Sequence, residues 1–600
     1  MDRKSIIILV ISFILLMLWF PIMNKVYPPK PLPAATNTLA TVTNQFERGA
    51  RPSVPATATA PLAPRVAAFP IPAGAKEQVQ VLTNENARYT FTSYGGGLKL
   101  VELTKYPETV GCHSKFKEQK LASLNTAAAP PVLAWSGGEA SAGDGVFALS
   151  ASSGVVRAEK QLTNGLYLTK EFRLASNYLI QATARLENRS AEPMALSAQG
   201  WSVGTATPMG PLDNEQFVGL FWHDGSRDTH VEKGWFDNKR LGGCVPSTPR
   251  TEYTSGSNKI VWAAVQNQFF TLALMPATPA SELTATTVDL PPPSPEVLAE
   301  NPRAMAKPVG IQVSLVYGPT NLAPSQVLET QFNIYAGPKQ NRTLEIIDAQ
   351  LHNNIHNVMD YGGFFGWFAQ ALLWAMNGLY LLVPSSMLSH GYAFAIIAIT
   401  VILKLVFWPL TQAQTRSMKR MQELQPQIKA LQEKYKDDPA KQQKKMMEFW
   451  KENKINPLGG CLPMLLQLPI FFGFFKMVRT AIELRGARFL WACDLSKSDT
   501  LFLIPGLNFP FNPLPLLMGA TMLWQARLSP ASPGMDPVQQ KIMKYMPLMF
   551  LFILYDYSAG LTLYWTVQNL LTIAQMKLIR AKETAAVKTP VPAPPARRKH

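Results

Sequence analysis

The stretch Y-A-F-A-I-I-A-I-T-V-I-L-K-L-V-F-W-P-L at 392–410 decides the fold class. It is long enough to cross a bilayer, which takes about 17–25 apolar residues, and Lys404 is its only charged residue. An ammonium at this depth costs about 2.5–3.5 kcal/mol on insertion scales unless it reaches water or faces a polar interior. Thr400 stands one turn away on the same helical face, and Gln467 interrupts another apolar segment. These residues favour an interior position for Lys404, with a side chain that snorkels to the cytoplasm as the alternative.

Further apolar segments predict a polytopic α-helical membrane protein with six transmembrane helices. The other five predicted spans are 1–23, 457–478, 511–526, 542–555 and 560–579. The last two would form one overlong span if D-Y-S-A-G at 556–560 did not break the apolar run. A cleaved signal peptide is the competing interpretation of 1–23, but no small-residue cleavage site follows closely, so an uncleaved anchor is favoured.

The distribution of charge predicts the direction of these spans. The loop 411–456 carries eleven basic and six acidic side chains, which predicts a cytoplasmic location. The span 392–410 then runs inward, and 358–384 is interpreted as a helix lying at the membrane interface on the non-cytoplasmic side. An extra span at that point would reverse the topology. The basic tail 583–600 predicts a cytoplasmic C-terminus, on the same side as the N-terminus.

A long polar region separates the first span from the others. Residues 24–75 are rich in Pro, Ala and Thr and predict an extended linker outside the cytoplasm. Residues 76–345 alternate between short apolar runs and turn residues, which predicts one large all-β sandwich on the same side. The region contains no readable nucleophile elbow, phosphate loop or metal-binding cluster.

Composition gives few chemical candidates. The formal charge of +17 predicts an acidic partner or surface. Four cysteines without a C-x-x-C pair exclude a zinc ribbon or a redox motif of that kind. Cys112 and Cys244 both lie in the predicted exported domain, where pairing is permitted, but sequence does not place them in contact. His352 and His356 have helical i,i+4 spacing without the glutamate of a zinc protease motif, which favours polar surface over a metal site.

The loop 412–455 is helical by pattern. A coiled-coil-like seam is formed by apolar side chains three and four residues apart: Met421, Leu424, Ile428, Leu431 and Tyr435. The sequence K-D-D-P ends this helix, and Pro439 stands where a second would begin. An antiparallel cytoplasmic hairpin is therefore predicted. Its lysines are explained by solvation and by topology, and binding to ribosomal RNA or anionic lipid would be an additional role.

Several blocks in order resemble a known family. They are I-L-K-L-V-F-W-P-L-T-Q at 402–412, K-I-N-P-L-G-G-C-L-P-M-L-L-Q-L-P at 454–469, D-P-V-Q-Q-K-I-M-K-Y-M-P at 536–547 and S-A-G-L-T-L-Y-W-T-V-Q-N at 558–569. This pattern is similar to the YidC-type membrane protein insertases, which include the mitochondrial Oxa and chloroplast Alb proteins. The resemblance implies a five-helix insertase core over 392–582, and the long outer domain implies the Gram-negative form, with a fold related to sugar mutarotases.

The resemblance implies a non-enzymatic insertase and chaperone of the inner membrane, without cofactor or small-molecule substrate. Its implied partners are nascent membrane proteins, membrane lipids, the Sec translocon and the ribosome. Lys404 matches the cation of a hydrophilic groove, where most relatives have arginine. Matches to polar and aromatic groove residues are Thr400, Tyr564 and Trp565, to which the polar Gln467 is added. Matches to a face along which substrates slide are Leu468, Pro469 and Phe471.

Two other function classes remain open on the residues alone. A transporter or channel predicts internal repeats and paired intramembrane charges, and neither is visible in the sequence. A membrane-anchored carbohydrate-active or carbohydrate-binding protein would need acid/base residues in a cleft of the sandwich, which strand patterns do not exclude.

Overall fold

The computed structural model describes most of the chain after residue 73. The described residues are 74–111, 120–126, 130–137, 145–210, 213, 215–238, 248–256, 259–300, 304–363, 365–412, 423–436, 438–453, 462–507, 509–528 and 537–587. The chain forms two compact units. One contains 418–455 and 530–549, and the other contains 63–417, 456–529 and 550–600. The predicted anchor 1–23 and nearly all of the linker 24–75 lie outside the described residues, as does the tail beyond 587.

The larger unit contains an extensive set of strands. In chain order these are β1 (Val79–Thr83), β2 (Ala87–Thr92), β3 (Gly97–Pro107), β4 (Leu121–Leu124), β5 (Trp135–Ser136), β6 (Ala148–Ser152), β7 (Val155–Gln161), β8 (Leu166–Leu174), β9 (Leu179–Asn188), β10 (Met194–Leu196), β11 (Gln199–Ala206), β12 (Gly219–His223), β13 (Asp228–Glu232), β14 (Glu252–Ser255), β15 (Trp262–Gln266), β16 (Phe270–Pro276), β17 (Glu282–Asp289), β18 (Val309–Tyr317), β19 (Thr320–Leu322), β20 (Val327–Pro338), β21 (Phe502–Ile504) and β22 (Phe509–Phe511).

Two large sheets dominate this unit. The nine-stranded sheet has the order β13-β12-β15-β16-β20-β9-β8-β7-β6, and the five-stranded sheet has the order β14-β17-β18-β11-β5. A four-stranded sheet runs β1-β2-β3-β4. Strand β9 alternates between buried and more exposed side chains, as a strand with one covered face should. By contrast, β11, β12, β15 and β16 are buried along their whole length, as strands covered on both faces are.

The sandwich buries a lysine far from any membrane helix. The Lys170 side chain is 0 % exposed, and its Nζ donates to the Gly95 carbonyl at 2.7 Å. The ammonium lies 4.6 Å from the centre of the Phe147 ring, which supplies a cation–π contact. Burial lowers the pKa of Lys170 well below its usual value. This cation therefore destabilises the sandwich relative to an apolar side chain of similar volume.

The helices follow the sandwich in the chain, after two short ones inside it. They are α1 (Lys233–Asp237), α2 (Pro295–Glu300), α3 (Asn341–Leu351), α4 (Gly366–Tyr380), α5 (Gly391–Val406), α6 (Gln425–Lys434), α7 (Pro439–Glu452), α8 (Leu462–Thr480), α9 (Pro513–Leu528), α10 (Pro537–Ile553) and α11 (Ala559–Val587). Within the described part of the chain, one helical stretch, Ser385–Val406, is long and apolar enough to cross a membrane, with 22 residues and a mean hydropathy of 1.8. The count of six spans stays a prediction.

Several helix ends differ from the apolar segments in the sequence. Helix α10 begins at Pro537, five residues before the predicted span, and α11 continues to Val587, past the predicted start of the tail at 583. Both extensions contain good helix formers such as Gln, Lys, Glu and Ala. An apolar segment shows where a helix can contact lipid. The helix itself continues beyond that segment until residues with low helix propensity, or a helix-breaking residue, end its backbone hydrogen bonding.

Close backbone approach determines how α4 packs on the helices beside it. A Cβ added to Gly473 of α8 would overlap the Phe368 ring of α4, so only glycine permits this approach. At the other end of α4, the Tyr380 ring stacks on Tyr392 of α5 at a centroid distance of 4.1 Å. Helix α4 therefore packs between α5 and α8, while its Trp367 and Trp374 side chains are 67 % and 81 % exposed.

Polar contacts join the sandwich to one end of the helical bundle. Arg485, just beyond α8, donates to the Pro107 and Glu108 carbonyls at 2.8 and 2.9 Å. Lys497 pairs with Asp213 at 2.8 Å, and Lys476 donates to the Asp360 carbonyl at 3.1 Å. The C-terminal end of α8 and the segment that follows it therefore lie against the sandwich.

Helices α6 and α7 form a small separate core in the other unit. Ile428 is fully buried against Met446, with Leu424, Leu431 and Trp450 packed around them. Asp438 caps α7, since its carboxylate accepts from the Lys441 N–H at 3.0 Å, and α7 begins at Pro439.

Candidate functional site

Lys404 lies on the inward face of α5. Its side chain is 8 % exposed, and Thr400 on the same face is fully buried. Ile402 and Leu405, on the opposite side of the helix, are 47 % and 62 % exposed. The lysine therefore points into the bundle instead of snorkelling outward along a lipid-facing surface, which was the alternative left open by the sequence.

The ammonium of Lys404 has a neutral partner. Its Nζ donates to the Thr572 hydroxyl of α11 at 2.9 Å. No carboxylate of the described residues forms a salt bridge with it. Both residues lie thirteen positions after the starts of their helices, at Gly391 and Ala559, which is about 20 Å along each axis. The positive charge is therefore buried in the last turn of α5, and it has no carboxylate partner among the described residues.

A line of polar side chains continues from Thr572 along α11. Gln568 donates to the Gln467 side-chain carbonyl at 3.3 Å, and Gln467 in turn donates to the Tyr564 hydroxyl at 2.7 Å. Tyr564 is almost fully buried and stacks on Phe474 at 4.3 Å. The structure thus brings Gln467 of α8 and Tyr564 of α11 into direct contact and connects them to the neighbourhood of Lys404. Thr400 lies nearby, but its hydroxyl bonds to the Ile396 carbonyl at 2.7 Å.

Leu468, Pro469 and Phe471 follow Gln467 in α8. Leu468 is 40 % exposed, and Pro469 lies inside the helix, where it removes a backbone donor. Phe471 contacts the Trp565 ring of α11 edge-on at 4.9 Å. Leu468 therefore faces outward, whereas Phe471 and Trp565 form part of the contact between α8 and α11.

Sequence reasoning missed three polar residues of this site: Gln568, Thr572 and Gln575. The last of these donates to the Thr411 hydroxyl at 2.9 Å. The signal was present, because Tyr564, Gln568, Thr572 and Gln575 follow one another by four, four and three residues and so share one helical face. The mean hydropathy of the segment does not show this polar stripe, because apolar residues lie between the polar ones.

Comparison with known proteins decides the family. The chain matches the family model described as the YidC periplasmic domain at residues 79–375 and the model described as the 60Kd inner membrane protein at 385–586. It is 30 % identical over 607 residues to the membrane protein insertase YidC of Geobacter metallireducens, covering 98 % of this chain and 99 % of that protein. The chain belongs to the YidC family. The YidC family is one of insertases and not of enzymes, and it combines an inner-membrane part with a periplasmic domain.

Two further members of the YidC family are similar to this chain over most of its length. The membrane protein insertase YidC of Syntrophus aciditrophicus is 29 % identical over 596 residues, covering 96 % of this chain and 99 % of that protein. A crystal structure of an active YidC insertase with its first transmembrane domain resolved is 17 % identical, with a TM-score of 0.33, and the match covers 84 % of this chain and 93 % of that one. The match to the periplasmic-domain family model at 79–375 shows that the β-rich region of this chain is the periplasmic domain of a YidC-family protein.

The predicted hairpin seam is partly described. Ile428 is buried, and Leu424 and Leu431 pack against the same core, whereas Met421 lies outside the described residues. Tyr435 is at the end of the first helix and has the Lys434 and Lys441 ammonium groups 5.7 and 5.8 Å from its ring centre. The apolar seam joins α6 to α7, as its three- and four-residue spacing predicts.

The helical spacing assigned to His352 and His356 is wrong. Helix α3 ends at Leu351, His352 takes a left-handed conformation with φ of 51°, and His356 lies in the separate turn Ile355–Met359. His356 instead pairs with Asp348 at 2.7 Å, beside a polar cavity of about 430 Å³. A search of the described residues finds no group of three or more side chains placed to hold a metal ion.

Cysteine pairing involves a residue that sequence reasoning did not consider. Cys493 is disulfide-bonded. Cys112 and Cys244, for which the sequence permits pairing, both lie outside the described residues.

Proposed function

We propose that this chain inserts, folds and assembles integral membrane proteins in the inner membrane, alone or beside the Sec translocon. The observation that carries the proposal is the Lys404 ammonium, which is almost fully buried and bonded to the neutral Thr572 hydroxyl. A buried charge without a counter-ion is costly for the folded protein. The presence of the Lys404 charge is explained if a carboxylate of a client protein acts as its counter-ion during insertion.

The polar stripe around Lys404 supports a hydrophilic groove open to the cytoplasm and to lipid. Polar side chains at membrane depth are satisfied by a protein interior or by a water-filled cavity. Lys404, Thr572, Gln568 and Gln467 provide successive donors and acceptors along this path. A polar tail of a client would exchange its hydration for these groups and so cross a shorter apolar distance.

Leu468 supports the proposal of a sliding face. It is outward-facing and adjacent to the polar Gln467, so an apolar client helix can contact Leu468 while its polar tail reaches the groove. Pro469 and Phe471 extend this surface toward Trp565. We assign the client's apolar segment to this face because lipid and α8 offer it a continuous apolar environment.

We retain the proposed topology of six spans with both termini in the cytoplasm. The C-terminal end of α8 lies against the periplasmic domain through Arg485, and α11 begins at Ala559, whose N–H donates to the Lys497 carbonyl at 2.6 Å. These contacts support an outward direction for α8 and an inward one for α11. The exposed Trp367 and Trp374 of α4 support its location at the periplasmic interface.

The same topology puts the helical hairpin of α6 and α7 in the cytoplasm. The hairpin carries most of the basic residues of the loop 411–456, which suits contact with the ribosome or with anionic lipid. The domain boundaries proposed for the linker, the sandwich, the insertase core and the tail follow the same scheme.

The proposal is tested by depletion and complementation. Cells depleted of the protein are followed for insertion of a small client with one or two spans and an acidic periplasmic tail. Complementation then uses the variants Lys404→Ala, Lys404→Arg and Lys404→Glu, with Leu405→Ala as a matched control on the outward face of α5. We expect full rescue by wild type, by the arginine variant and by the control. Normal insertion in depleted cells would overturn the proposal.

A further inference from the structure

Residues 501–511 form a small hairpin at the outer end of α9. Strand β21 pairs with β22 in antiparallel register, with Phe502 opposite Phe511 and Ile504 opposite Phe509. Gly506 in the connecting turn has φ of 83°, a conformation that glycine adopts without strain. Neither the groove nor the contacts with the sandwich use this element.

The described residues of the hairpin, 501–507 and 509–511, present an apolar and uncharged surface. Four large side chains are strongly exposed: Leu501 at 48 %, Phe502 at 53 %, Leu507 at 74 % and Phe509 at 48 %. Asp499, the nearest charged residue in the sequence, is 4 % exposed and accepts from Trp491 Nε1 at 2.8 Å and from the Leu514 N–H at 2.7 Å. The exposed Asp556 lies at the base of the hairpin, where its carboxylate accepts from Asn512 Nδ2 at 3.4 Å. A contiguous exposed patch of this kind marks a binding surface.

The fold holds this patch outward. The Phe502 and Phe511 rings stack at 5.1 Å, and Phe509 stacks on Tyr555 at 5.0 Å. The Tyr555 hydroxyl donates to the Pro510 carbonyl at 2.7 Å, while Asn512 Nδ2 donates to the Tyr555 carbonyl at 2.9 Å. With its base fixed by these bonds, the hairpin cannot bury its own apolar side chains by a simple collapse.

The neighbouring surface identifies the occupant. Helix α9 begins two residues after β22 and exposes Leu516 at 39 % and Leu517 at 43 %. Phe552 and Ile553, just before the turn that carries Tyr555, are 87 % and 47 % exposed. In an inner-membrane protein, such helix surfaces contact lipid, and the exposed hairpin adjoins that apolar surface.

We propose that the hairpin 501–511 is a lipid-contacting wedge seated in the interfacial region of the bilayer. Leu507 at its tip enters the acyl-chain boundary, and the Phe502 and Phe509 rings lie at the level of the headgroups. Its partner is the phospholipid bilayer itself. The contact between the hairpin and the bilayer is inferred from the geometry of the hairpin. The assignment of the hairpin to the outer leaflet rests on the topology proposed above.

The experiment measures the depth of Leu507 in the full-length protein. Leu507→Cys is labelled with bimane and reconstituted in vesicles of phosphatidylethanolamine and phosphatidylglycerol that contain doxyl-labelled lipid. Gly318→Cys is the matched control, because Gly318 is exposed on the sandwich and has open space around its Cβ position. Labelled protein without either introduced cysteine supplies the background.

We expect doxyl lipid to quench the Leu507 probe about fivefold more strongly than the Gly318 probe, and aqueous iodide to show the reverse order. Equal quenching by iodide at the two positions would overturn the proposal. So would protection from both quenchers that depends on a client or on a second copy of the chain, since the occupant would then be protein. Insertion activity is not the readout, so failure of the wedge is distinguishable from failure of the proposed function.

A second variant guards against an effect of the label. Here the bimane label is attached to Phe509→Cys, and the same chain carries either Leu507→Asp, which places a charge at the tip, or Leu507→Ala. We expect doxyl quenching at position 509 to fall at least about twofold relative to Leu507→Ala, because a buried carboxylate is costly in the acyl region. Unchanged quenching would contradict insertion of the tip.

Discussion

Reversing the charge at Lys404 should reverse the preference for the client's charge. In the wild-type chain the Lys404 ammonium is buried and bonded to the neutral Thr572 hydroxyl. A client tail with an aspartate supplies the opposite charge, whereas asparagine at the same position does not. Lys404→Glu should therefore favour a client with lysine in its tail and reject one with aspartate.

The size of the effect follows from the distance at which the charges meet. Two unit charges 4 Å apart interact by about 4 kcal/mol at an effective dielectric constant of 20, and by about 2.4 kcal/mol at 7 Å with water between them. Removing the cation should thus slow insertion of an aspartate client by about 50- to 1000-fold, at about 1.4 kcal/mol for each factor of ten. An asparagine client should change by less than about threefold, since no ionic interaction is lost.

Purified protein in vesicles provides the assay. Initial insertion rates are measured by protease protection for clients that differ only in Asp, Asn or Lys at one tail position. Wild type and the variants Lys404→Met, Lys404→Arg and Lys404→Glu complete a double-mutant cycle, which isolates the coupling between the two charges. Arginine should preserve the aspartate preference because it keeps the charge.

Equal losses for the Asp and Asn clients would refute this reasoning. That result would show that Lys404 acts through packing or through its bond to Thr572. Thr572→Val provides the complementary control, because it removes the acceptor at 2.9 Å but keeps the charge. We expect it to retain the client's charge preference even if the overall rate falls.

Three further predictions concern stability. Gly473→Leu should lower the melting temperature in detergent, because the new side chain overlaps α4 and overpacking costs about 1–3 kcal/mol, whereas Gly378→Leu at an open position of α4 should not. Ile428→Asp should make the cytoplasmic hairpin sensitive to brief proteolysis, because it puts a charge into a fully buried position, and exposed Lys429→Asp should have little effect. Lys170→Met should raise the melting temperature at pH 7. The folded-state pKa of Lys170 lies below its unfolded value, so the stability of the wild type rises as pH approaches 10.5. The difference in melting temperature between Lys170→Met and wild type should therefore become smaller there. A difference that does not change with pH would contradict the buried charge.

The pattern of apolar residues predicted the main architecture but not the ends of its elements. The segment 392–410 contains all of α5 except its first residue, Gly391, and K-D-D-P correctly indicates where α7 begins. Alternation identified strands such as β9, whose faces differ in burial. Strands β15 and β16 show no such difference in burial between their faces, because both faces are covered.

Sequence by itself determined that Lys404 is a costly charge in an apolar segment and that Gln467 is polar at comparable depth. Helical periodicity placed Thr400 beside Lys404, since local geometry depends on spacing alone. Which helix faces Lys404 depends on the packing of segments more than 160 residues apart in the chain, and only the tertiary structure supplied Thr572 and Gln568. The same limit applies to the hairpin 501–511. Its residues read as a short apolar run, and only the fold shows that the side chains are held outward, because that depends on the distant Tyr555.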